Sequence, residues 1–125
     1  MMSVRLSEIL VAVQGAATIP TLTPEDSGLP MVVYLLVRDD SPYGPKIGVS
    51  PRHGKRLTMN IMVPISISDD PKIVGGGWLP NPDLRLVRAW VLLNMDVLLR
   101  HWRHELPSTD MLAALRPLGE AKGRK

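Results

Sequence analysis

Few residues in this chain have both the chemistry and the spacing of a reactive site. His101 and His104 lie three apart and are followed by Glu105. On a helix, such a pair can share a metal. A zinc site needs three or four ligands, however, and the third histidine of the chain, His53, is remote in sequence. The spacing is better explained by cations gathered at a helix C-terminus, and neither a metal nor a cofactor is expected. Asp39-Asp40 and Asp69-Asp70 each follow a strand-like segment. Paired carboxylates can hold a divalent cation or move protons, but Asp next to Ser and Pro is also ordinary turn chemistry, and that reading is preferred. Ser50 and His53 offer a hydroxyl near an imidazole without any signal for an oxyanion hole. Gly75-Gly76-Gly77 is followed by Trp78 and Pro80, so it matches neither dinucleotide nor Walker spacing. With no cysteine there is no thiol nucleophile and no thiolate site. No catalytic residue is expected.

Two binding surfaces remain as candidates. Lys46, Arg52, Lys55 and Arg56 surround a predicted hairpin tip and, with Lys122, Arg124 and Lys125, could contact phosphates. The formal net charge of +3 permits this without demanding it, and short charge runs are usually solvated surface. The second candidate is a helix predicted over 82–106. Asn81 is placed as its N-cap, Pro82 at N1, and Pro107 as its stop. Arg85, Arg88, Asp96, Arg100 and Arg103 form one narrow polar stripe, and apolar residues fill most of the remaining circumference. Such a helix is either central to the fold or covered by a partner. Val91, Leu92 and Leu93 are the expected partner-binding residues. The competing expectation is that the amino-terminal segment folds across this face.

The elements that must position these groups are short. Residues 3–14 suit a helix or a strand equally, and 16–30, with three prolines, suggest an irregular connection. Residues 31–38 read as a buried strand, and 46–50 as a short one followed by a turn at 51–55. Residues 56–68 alternate, with Leu57, Met59, Ile61, Val63, Ile65 and Ile67 on one face. Pro64 argues for a bulge or a sheet edge in that strand. Lys72–Val74 is a stub strand, and Ser108–Leu115 a short final helix. The expected fold class is α+β: a small antiparallel sheet packed on one long C-terminal helix, with short terminal helices. Residues 1–30 are expected to be an N-terminal segment, 31–118 the α+β domain, and 119–125 a disordered basic tail.

Composition bounds the rest. At 125 residues the chain is one domain's worth, 45% hydrophobic and 22% charged. No run of about 18 apolar residues is present to span a membrane, and Glu8 interrupts any signal-peptide core. There is no phenylalanine, so Leu, Val, Ile, Met and Trp must build the core.

The segment from Leu79-Pro80 through Leu84-Arg85-Leu86-Val87, Trp90 and Trp102 resembles the carboxy-terminal half of the small bacterial domain of unknown function numbered 4160. Met111 to Leu118 is similar to that family's closing segment, and Met31–Arg38 with Asp39-Asp40-Ser41-Pro42 to its early strand and turn. Where the family has Pro-His-x-His, this chain has Pro42-Tyr43-Gly44-Pro45-Lys46. The resemblance implies a small cytoplasmic α+β protein, often encoded beside another small protein in a toxin–antitoxin-like module. The expected function is a non-catalytic interaction protein that binds a protein partner or self-associates through its long helix. The alternative is a nucleic-acid-binding regulator that uses the basic 46–56 segment.

Overall fold

The computed structural model of the chain describes residues 11–14, 17–36, 38–55 and 61–119. Five strands, β1 (Val11–Gln14), β2 (Ala17–Leu22), β3 (Met31–Tyr34), β4 (Lys46–His53) and β5 (Val63–Ser66), pair in sequence order. Every neighbouring pair is antiparallel. Helix α1 (Pro24–Ser27) lies between β2 and β3, and α2 (Asn81–Trp102) and α3 (Ser108–Ala114) follow the sheet. The fold is α+β, with an antiparallel sheet and one long helix.

The central strand explains its own sequence. β3 has neighbours on both sides and is covered on both faces, so Met31 to Leu36 are all buried. Met31, Val33 and Leu35 join the main core with Val87, Trp90, Val91 and Leu98 of α2. Val32, Tyr34 and Leu36 face the other way, in a second cluster with Ile19, Trp102 and the half-buried Met62. A Cβ at Gly48 would overlap the Met62 thioether, so the glycine makes room for this second layer. Trp90 is fully buried and replaces the missing phenylalanines as the largest core side chain. Truncating such a residue typically costs about 3–5 kcal/mol.

Several expectations are corrected. Residues 17–22 form a strand within the sheet, not an irregular connection, and Ile19 and Leu22 are core residues. The sheet therefore starts well before residue 31. Pro20 is tolerated because it is the residue at which β2 changes partner: it is the last residue opposite β1, and its carbonyl accepts the Leu35 N–H. β4 continues through Pro51 to His53, so the turn is shorter than expected. Of the alternating segment, Val63, Ile65 and Ile67 are buried, whereas Ile61 is exposed and precedes the strand. Residues 56–60 lie outside the described residues. Pro64 lies on the edge strand, and Ile73 makes one bridge to Ile65 there. The expectations for residues 1–10 and 120–125 also lie outside the described residues.

Helix α2 starts one residue early and stops four residues early. Pro80 is the N-cap, so Asn81 and Pro82 occupy the first helical positions. Asn94 leaves helical geometry (φ −115°, ψ 15°). Its side-chain amide donates to the carbonyls of Trp90 (3.1 Å) and Arg116 (3.0 Å), and its Oδ1 accepts the Arg116 N–H at 2.7 Å. The helix bends at the residue that also fastens the C-terminal segment. That segment then reaches α1, where the Leu118 N–H donates to the Ser27 carbonyl at 2.7 Å. Gly28 (φ +78°) lies under this contact, and a Cβ there would run into the Leu118 backbone. No described helix is long and apolar enough to cross a membrane.

Candidate functional site

Among the described residues, the outer face of α2 carries the largest concentration of exposed apolar side chains on a single element. Val87, Trp90, Val91, Leu98 and Trp102 turn into the two clusters. On the opposite side Leu92 is 47% exposed, Leu86 40% and Leu93 36%, and Ala89 is also exposed. Val91 is fully buried against the sheet, which corrects its place among the expected contact residues. Leu92 and Leu93 are joined instead by Leu86 and Ala89, one turn earlier. The reason is angular. Residues 86, 89 and 93 and residues 85, 89, 92 and 96 form two adjacent stripes at three- and four-residue spacing, whereas 91 falls with 87, 94 and 98 on the core side. The described part of the amino-terminal segment pairs with β3 and leaves this face uncovered.

Charge brackets the patch. Arg85 and Asp96 stand exposed on the same stripe as Ala89 and Leu92, about 16 Å apart along the axis. Among the described residues neither has an ion-pair partner, whereas Arg88 is held by Asp70 at 3.0 Å and by the Pro71 carbonyl. The sequence showed the polar stripe but not its division into engaged and free members, because Asp70 comes from the end of the sheet.

Of the basic residues expected to contact phosphates, Lys46 is set apart from Arg52 and Lys55. The Lys46 Nζ lies 2.8 Å from Asp39 and 5.2 Å from the centroid of the Trp102 ring, and the residue is buried. Arg52 is exposed at the other end of β4, about 20 Å away at strand spacing. Lys55 pairs with Glu25 at 3.2 Å, and Arg56 lies outside the described residues. The two acidic pairs do fall at one end of the sheet, but cations take up a carboxylate from each. Lys46 lowers the Asp39 pKa, chiefly by its hydrogen bond, and Arg88 and Lys72 lower that of Asp70. Among the described residues no cluster of histidines and carboxylates has the makings of a metal site. His53 is tied to the nearly buried Asp83 at 2.9 Å, not to Ser50, and so links the end of β4 to the start of α2.

A cleft of about 280 Å³ opens beside the C-terminal end of α2, between Leu36, Arg38, Trp102, His101, His104 and Ser108. The His101 Nε2 and Ser108 Oγ are 3.1 Å apart. This resembles a base and nucleophile, but among the described residues no carboxylate orients the imidazole. Burial, reinforced by His104, lowers the His101 pKa and favours its neutral form. The sequence offered the two histidines as a metal pair. Arg38 and Ser108, which line the cleft with them, come from the segment after β3 and from the next helix.

No family model, no curated protein and no solved structure matches the chain.

Proposed function

We propose that this chain is a non-catalytic interaction protein that self-associates through the outer face of α2. The observation that carries the reading is the symmetry of that face. Arg85, Ala89, Leu92 and Asp96 are spaced so that a two-fold axis between Ala89 and Leu92 brings Arg85 of one copy opposite Asp96 of the other, and does so twice. The apolar residues between them cover one another. An isologous contact requires this kind of self-complementary patch, and unlike charges at its rim set the antiparallel register. Leu86 and Leu93 widen the apolar strip, and exposed apolar surface rimmed by charge is the usual signature of an interface. The setting we propose for this contact is a small accessory protein in a toxin–antitoxin-like module. Sedimentation of the full chain from micromolar to near-millimolar concentration tests the proposal. The wild type is expected to dimerise and Leu92→Glu to remain monomeric with an unchanged circular dichroism spectrum. A wild type that stays monomeric over the whole range contradicts it.

A further inference from the structure

We infer that the cleft beside the end of α2 binds a small phosphomonoester carried on a flat ring. The lining is of two chemical kinds. Arg38, His101, His104 and Ser108 supply its polar side chains, and among the described residues no carboxylate lines the cleft. Among the described residues Arg38 has no acidic partner. Arginine with neighbouring N–H and O–H donors is the usual recognition set for a phosphoryl group. Pro20, Leu36, Trp102, Leu106 and Pro107 supply apolar surface suited to a planar ring. Trp102 is held in place by the Lys46 ammonium at its ring, and the charge of that lysine is taken up by Asp39. At about 280 Å³ the cleft suits a ligand of that size, near the lower end of ordinary small-molecule sites.

A backbone feature points to the same place. After α2 the chain closes a Schellman turn: the His104 N–H donates to the His101 carbonyl (3.0 Å) and the Glu105 N–H to that of Arg100 (2.8 Å). The left-handed position of such a turn is normally glycine. Here it is His104 (φ +62°), the sole described non-glycine residue with a positive φ. The fold holds an imidazole at the cleft mouth in a conformation that costs stability, and strain of this kind gathers at functional sites.

Titration of the full chain with phenyl phosphate, followed by NMR of the imidazole and indole nitrogens, tests this. Expected are saturable shifts at His101, His104 and Trp102, weaker binding of inorganic phosphate, and none of phenol. Arg38→Ala is expected to weaken phenyl phosphate binding by roughly tenfold. His104→Gly is expected to weaken it too while raising the melting temperature, which separates a lost ligand contact from a damaged fold. Absence of shifts at near-millimolar phenyl phosphate would overturn the inference. So would unchanged affinity in both variants, or shifts centred on the His53 imidazole beside Arg52.

Discussion

His104 shows how a single side chain can set stability against recognition. It occupies a position that glycine takes at little cost. His104→Gly is expected to stabilise the chain by roughly 0.5–1 kcal/mol, because relief of the left-handed strain outweighs the added freedom of the unfolded chain. Urea denaturation checks this. His101 gives the pH dependence at the same site. Its folded pKa lies below the ordinary value of about 6.5. Below that value the unfolded chain therefore binds more protons than the folded one. The contribution of His101 is thus expected to lower stability as pH falls from about 6.5 toward its folded pKa, and His101→Gln to flatten that part of the profile. Lys46 and Asp39 behave in the opposite sense. The folded pKa of Asp39 is depressed, so the pair stabilises at neutral pH and its contribution is lost as acid protonates Asp39. Asp39→Asn leaves Lys46 buried without its counter-ion and is expected to cost about 1–2 kcal/mol, reduced from the fully buried case because Asp39 is partly exposed. Adding Lys46→Met should recover most of that loss, and a double-mutant cycle reads the difference. The sequence marked Lys46 as a phosphate contact because basic residues cluster near it along the chain. Its true environment is set by Asp39 across a turn and Trp102 from the far helix, neither of which local spacing reveals.

At the scale of elements, what is legible depends on how each element is buried. β3 reads as a strand at once, because burial on both faces requires an unbroken apolar run. α2 reads as a helix from its period and its flanking prolines, but its bend does not, since Asn94 looks like any polar residue within a helix. Its buried amide joins Trp90 to Arg116, so Asn94→Ala removes three hydrogen bonds in return for a modest gain in helix propensity. The expected cost is about 1–3 kcal/mol. Hydrogen exchange should show the Arg116 and Leu118 amides losing protection first, because Leu118 docks on α1 only when the segment is tethered. β2 was hidden by Pro20, which looks like a breaker until the change of partner strand is seen.

Among the described residues of the whole molecule, both sheet faces are buried and the outer face of α2 is left open, and the proposed function rests on that asymmetry. The α+β class and the apolar excess of α2 were legible in the sequence. The division of the excess was not, since apolar residues fill most of the helix circumference, and only the sheet's position shows that Val91 faces inward. The charge symmetry of Arg85 and Asp96 likewise emerged only once Asp70 had claimed Arg88. The most direct measurement compares the sedimentation of wild type, Arg85→Glu and the double variant Arg85→Glu/Asp96→Arg. Self-association in the antiparallel register predicts a dimer for the wild type, a monomer for Arg85→Glu, where the introduced carboxylate would face Asp96 of the other copy, and a restored dimer for the double variant. A single variant that dimerises as well as the wild type, or a double variant that stays monomeric, would contradict it.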